Sequence, residues 1–512
     1  MQNAHSLQQL LGHGESSATA LSATATPNLS YSGLRALLAQ TMQSLNQMGI
    51  GRQDRVAIVL QNGATMASAF LGVACAATAA PLNPAYRAEE FEFYLGDLNA
   101  KALLVESDST TPAIAVAEKM GIAVIRLQPT PERGAGSFTL LAGDPANVAK
   151  PASTQHGGYA QADDIALVLH TSGTTSRPKI VPLTHRNVCA TARNICAVTR
   201  FSASDCGLNI MPLFHIHGLI AGVIAPLAAG GRVFCSPGFN ALKFFGWMQE
   251  ARPTWFTAVP TMHQAILARA ANNVEIIAAN PLRFIRSSSA SMPTQVIREL
   301  ESVFNAPLIE SYGMTEAAHQ MTSNLLPPGN RKPGSVGVAA GPEVAVLGEG
   351  GKLLPAGEIG EVAIRGENVT LGYENNPKAN ADAFVNGWFL TGDQGMMDGE
   401  GFLTLTGRLK EIINRGGEKI SPLEVDEILM AHPAVAQVVT FAMPHDKLGE
   451  DVAAAVVLRE GQSATEKELR EFCAQHLADF KIPRKILFMD EIPKGATGKL
   501  QRIGLAKKLG LA

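Results

Sequence analysis

Short apolar runs alternating with alanine-rich stretches of helical length are the feature of this chain that leaves the fewest architectures open. Arg55 to Leu60, Lys101 to Glu106, Ile122 to Leu127 and Ile165 to Leu169 have the length and composition of buried strands, and Met66 to Ala79 that of a helix. The alternation resumes with strands at Gly231 to Cys235, Thr254 to Ala258, Arg283 to Ser287 and Pro307 to Ser311. Helices at Ala241 to Glu250, Thr261 to Ala271 and Pro293 to Phe304 separate them. Strands that alternate with helices predict an α/β chain with two doubly wound, parallel-sheet units. The first fifty or so residues read as helical and polar. Pro129, Pro131, Gly134 and Gly136 predict a flexible, exposed connection before Phe138, and Gly143 to Asp163 is similarly loose.

A chain of 512 residues exceeds one core, so two to four domains are expected. From Pro333 to Thr406, Gly and Pro recur between short runs such as Val344 to Leu347 and Glu361 to Arg365, the texture of a β-rich subdomain. A last shift falls at Gly407-Arg408-Leu409-Lys410. Beyond it, helices at Pro422 to Ala431 and Glu466 to Ala478 accompany strands at Val435 to Ala442, Val452 to Leu458 and Lys485 to Met489. That composes a small α+β domain, and the boundaries are drawn at 1–407, 408–410 for a hinge and 411–512.

Composition narrows the function by exclusion. Charged residues make up 17% and the formal net charge is -3, which gives neither a nucleic-acid footprint nor a membrane-surface patch. The most apolar windows, Met66 to Ala80 and Gly218 to Ala229, are shorter than a membrane span. The N-terminus has no secretory pattern and the C-terminus no peroxisomal tripeptide. The six cysteines show no C-x-x-C pair, so they read as reduced thiols, and the cytoplasm is the expected compartment.

Chemistry concentrates in six segments. Thr171-Ser172-Gly173-Thr174-Thr175-Ser176-Arg177-Pro178-Lys179 follows a buried run and offers hydroxyls, backbone N–H groups and two cations, a set suited to polyphosphate. Pro178 stands where the Walker-type loop needs a second Gly, and alone the segment also fits a polar surface loop. Glu310-Ser311-Tyr312-Gly313-Met314-Thr315-Glu316 leaves a strand end with a flat ring, a hydroxyl and a carboxylate for a hard cation; a capped turn would look the same. Arg286 to Ser291 fits close nucleotide approach or a tight helix entry equally well. Asp393, after Gly392, has two acceptor oxygens for ribose hydroxyls, or is a turn Asp. Gly416 and Gly417 permit positive φ, in a ligand path or a plain hairpin, and Lys499 lies on a Gly-rich loop, where a mobile ammonium can bridge two anions or be merely solvated.

Together and in this order the segments resemble the ANL superfamily of adenylate-forming enzymes, over almost the full chain. Within it the match is closest to the oxalate–CoA ligase subgroup, carried by His170 to Lys179, Met314 to Asn324 and Asn414 to Pro422. The resemblance implies ATP, Mg²⁺ and coenzyme A as co-reactants and a two-step reaction: a carboxylate attacks the α-phosphorus of ATP and releases pyrophosphate, and a thiol then displaces AMP. It makes residues 1–407 an AMP-binding domain and 411–512 the family's C-terminal domain. It implies that Thr171, Ser172, Gly173, Thr174, Thr175, Ser176 and Lys179 hold pyrophosphate. Ser289, Ala290, Ser291 and Tyr312, with Glu310, Ser311 and Gly313, line the nucleotide, and Thr315 meets the α-phosphate. Glu316, with Thr174, binds the metal; Asp393 and Arg408 hold ribose; Lys499 bridges the reacting groups. Lys410 is the implied hinge, and Gly416 and Gly417 line the pantetheine path. Ser176 departs from the Gly most members carry, as the oxalate subgroup does.

Oxalate keeps a second carboxylate after the first is activated, and burying it unpaired costs several kcal/mol, so its pocket needs donors. His215 lies in the acyl-site region, Ser289 adds a hydroxyl, and His319 would share a face with Glu316 if a helix began at Thr315; a capping or core role for His319 is the alternative. CoA ligation of another small, medium-chain or aryl acid is the next reading, and a silent nucleotide-binding protein a third. A monomer or homodimer is expected.

Overall fold

The computed structural model describes residues 4–141, 154–171, 178–495 and 498–512. Two large sheets form the body. In the first, seven strands run in the order Phe138–Leu141, Ala123–Pro129, Ala102–Glu106, Arg55–Val59, Thr78–Pro81, Ile165–Thr171, Lys179–Thr184. The five inner strands are parallel and both edges antiparallel. In the second, nine strands run Val338–Ala339, His319–Ser323, Leu308–Met314, Phe284–Ser288, Trp255–Ala258, Cys206–Asn209, Arg232–Cys235, Thr19–Ser22, Leu29–Ser30, again parallel in the middle. A five-stranded antiparallel sheet spans Glu343–Leu347 to Leu403–Arg408. A fourth, in the small C-terminal unit, is built on the long hairpin Val435–His445 and Gly449–Leu458. The α/β expectation therefore holds, with mixed rather than wholly parallel sheets.

One apolar core joins the two large sheets. Ala64–Ala74 is a helix buried at every position but Thr65, as its small and apolar side chains dictate. Tyr31 reaches across the core with its hydroxyl on the carbonyls of Leu227, 2.9 Å, and Gly231, 2.6 Å. At the entry of the second sheet, Arg283 grips the buried Asp205 through two nitrogens at 2.9 and 3.0 Å.

Three sequence expectations are corrected here. The first fifty residues contain two strands, and Thr19–Ser22 is a parallel member of the second sheet. The helix from Met66 stops at Ala74, and Thr78–Pro81 is a strand. Alanine carries little strand propensity, and a strand covered on both faces shows no alternation, so nothing local announced it. The connection after Pro129 is not an exposed, flexible one: Ala135 is 1% exposed and its N–H meets the Pro27 carbonyl at 2.7 Å. Of the loose stretch, residues 143–153 lie outside the described residues. Among the described residues, no helix is long and apolar enough to cross a membrane.

Candidate active site

Adjacent parallel strands of the second sheet, Phe284–Ser288 and Leu308–Met314, set Arg286 opposite Ile309 and Ser287 opposite Glu310. The chain then turns through Thr315–Ala317 and returns as His319–Ser323, with Met314 paired to His319. The crossing is tight: a Cβ on Gly313 would come within 1.6 Å of the His319 carbonyl oxygen, so only glycine fits. The predicted helix at Thr315 is thus a single three-residue turn. Strand pairing carries His319 inward instead, with His319 at φ 106°, a strained conformation for a non-glycine residue.

Arg286 is the centre of what these strands bury. It is 1% exposed, and the ligands of its guanidinium are neutral: His319 Nε2 at 3.1 Å, His217 Nε2 at 3.4 Å and Gln320 Oε1 at 3.3 Å. Its Nε has no hydrogen-bond partner among the described residues. The rings of His217 and His319 stack 5.0 Å apart, and His217 is fixed by Thr257 at 2.7 Å and Ser289 at 3.1 Å. Burial, with the neighbouring cations, pushes both imidazoles well below their usual range, so they are neutral at pH 7. Burial alone brings Arg286 down to about 9. A buried cation among neutral ligands is an incomplete electrostatic arrangement, and an anion is what completes it.

A second group faces the same region from the antiparallel sheet. Tyr312 donates to Asp393 Oδ2 at 2.5 Å, and Arg408, the register partner of Asp393, reaches Asp393 Oδ1 at 3.3 Å. Glu316 is buried, its carboxyl raised chiefly by desolvation, and its Oε1 accepts from the Tyr373 hydroxyl at 2.8 Å. Lys499 comes from the small unit on a loop whose Gly498 carbonyl takes the Thr261 hydroxyl at 2.8 Å. Its charge acts on Glu316 and Asp393 and on the imidazoles of His215, His217 and His319. Part of the Lys499 side chain still meets solvent, but the surrounding protein and Arg408 lower its ammonium to about 8.

The fold therefore brings Lys499, Glu316, Tyr312, Asp393, Arg408, His215, His319 and Ser289 into one neighbourhood of hydrogen bonds and interacting charges. Glu310 is buried beside it, its carboxyl held by the N–H groups of Met292 and Gly334 and raised to about 8 by burial. Ala290 and Ser291 are exposed at the strand end. Thr171 and Lys179 pair across the base of the phosphate loop, whose residues 172–177, including Ser172, Gly173, Thr174, Thr175 and Ser176, lie outside the described residues. Lys410 is exposed, and Gly416 and Gly417 form the exposed turn of the hairpin Ile413–Arg415 and Glu418–Ile420 at φ 60° and 100°. Sequence reasoning assigned no role to Arg286, Gln320, His217 or Tyr373. The signal available for Arg286 was an Arg directly after the apolar pair Phe284-Ile285 in a predicted strand.

The lowered ammonium gives a pH expectation. Lys499 is charged below about 8 and neutral above it, so kcat/KM for ATP should fall about tenfold per pH unit as pH rises past that value. Steady-state kinetics between pH 6 and 10 at saturating acid check it.

Residues 12–374 match the AMP-binding enzyme family and residues 424–499 the AMP-binding enzyme C-terminal domain. The chain belongs to this family of adenylate-forming enzymes. It is 46% identical to an oxalate–CoA ligase of Arabidopsis thaliana over 94% of each chain. It is 44% identical to an oxalate–CoA ligase of Saccharomyces cerevisiae, over 89% of this chain and 87% of that one. The structure superposes on ATP-bound MatB from Rhodopseudomonas palustris with a TM-score of 0.86 at 29% identity, covering 99% and 98% of the two chains.

Proposed function

We propose that, within this family, the protein is an oxalate–CoA ligase that forms oxalyl-adenylate and then oxalyl-CoA, releasing pyrophosphate and AMP. The observation that carries the choice of acid is Arg286. Its uncompensated charge, with the neutral donors around it, suits the carboxylate that is not being activated. The likeness to the two oxalate–CoA ligases supports the same choice.

In this reading one oxalate carboxylate sits against Arg286, His319 and His217, which leaves the other free to attack the α-phosphorus. Lys499 neutralises the attacking oxygen and the α-phosphate as negative charge accumulates between them. Asp393 accepts from the ribose hydroxyls, held for that by Tyr312 and Arg408, and Thr315 meets the α-phosphate. Glu316 fits a cation ligand: its carboxylate is buried, and among the described residues Tyr373 is the side chain that donates to it, through Oε1. In this reading Mg²⁺ would be held by the Glu316 carboxylate, with Thr174 and the substrate phosphates. Bound there, Mg²⁺ supplies charge neutralisation to the phosphates. Thr171, Lys179 and the loop between them hold the leaving pyrophosphate. The small unit then pivots at Arg408 to Lys410, so that Gly416 and Gly417 admit pantetheine. The six cysteines are free and buried, which supports a cytoplasmic setting. We assign it a monomeric or homodimeric state.

A different acid is favoured by one observation. A cavity of about 310 Å³, lined by Asn62, Met66, Leu82, Leu213 and Phe214 among others and by no charged residue, adjoins the His215 segment and would suit an apolar chain. Pyrophosphate release measured across oxalate, malonate, acetate, octanoate and 4-coumarate decides between them. Oxalate is expected to have the highest kcat/KM; a preference for octanoate or coumarate rejects the oxalate reading.

A further inference from the structure

We infer that Tyr373 is a positioning residue for the cation and the departing phosphates: it holds the Glu316 carboxylate with its hydroxyl and the Lys179 ammonium with its ring face. The inference rests on the reading of Glu316 as the metal ligand and Lys179 as a phosphate ligand. Tyr373 gives its hydroxyl to Glu316 Oε1 at 2.8 Å, while Lys179 Nζ sits 4.1 Å from the centre of the same ring. The two charges act on one another across this residue. Were they to meet directly, each would neutralise the other, and neither metal nor phosphate would find a free charge. A phenol satisfies both without neutralising either, since an O–H donor favours the carboxylate and a π face favours the ammonium.

The residue is placed for this by a segment that bonds to both large sheets. On the second sheet, Asn368 donates to the carbonyls of Ala317, 2.8 Å, and Gln320, 3.0 Å, and the Thr370 N–H meets the Glu316 carbonyl at 2.7 Å. On the first, the Thr370 hydroxyl reaches the Pro182 carbonyl at 2.8 Å and the Glu374 N–H the Ile180 carbonyl at 3.1 Å. Asn380 then clasps the Tyr373 main chain from both sides, at 2.7 and 2.9 Å. Tyr373 is 6% exposed, so its ring has little freedom to leave either partner. The segment fixes the strand leaving the phosphate loop relative to the turn that carries Glu316, and Tyr373 is the side chain through which the two chemistries are spaced.

The test uses the full chain and Tyr373→Phe, Tyr373→Leu and Glu316→Gln. Mn²⁺ binding in the presence of a non-hydrolysable ATP analogue is followed by electron paramagnetic resonance, and binding of the analogue by calorimetry, with circular dichroism to confirm folding. Tyr373→Phe keeps the ring face and loses the hydroxyl, so it should weaken Mn²⁺ about tenfold while changing analogue affinity in the absence of metal by less than about twofold. Tyr373→Leu loses both, and should weaken the analogue without metal as well, about threefold or more. Glu316→Gln should weaken Mn²⁺ at least as much as Tyr373→Phe. Unchanged Mn²⁺ affinity in Tyr373→Phe beside a weakened one in Glu316→Gln overturns the role of Tyr373. Unchanged Mn²⁺ affinity in Glu316→Gln overturns the metal reading beneath it.

Discussion

Lys499→Ala should slow pyrophosphate release by about two to three orders of magnitude, the loss seen when a preorganised charge is removed from a transition state. It should leave thioester formation from preformed oxalyl-adenylate close to that of the parent. The asymmetry follows from where the ammonium is held. Its loop docks on the large unit through Thr261 and Gly498 and closes on itself through the Gly495 N–H and the Lys499 carbonyl at 2.8 Å. That geometry puts the charge among Glu316, Asp393 and the imidazoles, where carboxylate and α-phosphate would meet. Once the adenylate exists, the bond left to form is between sulfur and the acyl carbon, and the charge at the phosphorus no longer develops. Stopped-flow measurement of pyrophosphate release, set against the conversion of supplied adenylate with coenzyme A, separates the two steps. Equal losses in both would remove Lys499 from its special place in the first.

Most of the fold was legible because its strands and helices differ in length and period. Arg55 to Leu60 and Lys101 to Glu106 are a plain instance: two short apolar runs that pair as parallel strands, with Val56 opposite Ala102 and Val59 opposite Val105. What escaped was set by tertiary contacts. Thr78–Pro81 is a strand because its neighbours on both sides pair with it, not because of its alanines. His319 belongs to a strand because Met314 pairs with it, where the local sequence Thr-Glu-Ala-Ala would as readily turn a helix. The site divides the same way. Arg408 ends a strand, Lys499 lies on a loop and Asp393 follows a glycine, settings where polar residues invite a functional reading. Arg286 lies inside a strand, after two apolar residues and before two serines. Its significance is that no described carboxylate answers its charge, which is a fact about residues 217, 319 and 320, far from it in sequence. No window of the chain contains that fact.

Arg286→Met gives the other large effect, and it carries two signs at once. Methionine keeps most of the volume and removes the charge. Breaking a buried charge pair by deleting one partner typically costs about 3–5 kcal/mol, so KM for oxalate should rise by about two to three and a half orders of magnitude. Acetate has no second carboxylate to lose, and its kcat/KM should move by less than about threefold. The ligand-free protein, in contrast, should become more stable. Folding takes the guanidinium out of water and offers it only neutral ligands, which is why its pKa falls to about 9, and why its charged form at pH 7 opposes folding. The variant is free of that penalty, so its thermal midpoint should lie above the parent's without ligand. Oxalate should raise the midpoint of the parent and not of Arg286→Met. Differential scanning fluorimetry with and without oxalate, beside the two sets of kinetics, reads all of this in one series. Unchanged oxalate kinetics would show that the anion sits elsewhere. A lowered midpoint in the variant would mean that Arg286 already has its counter-charge within the fold, and that the hole for a dianion does not exist.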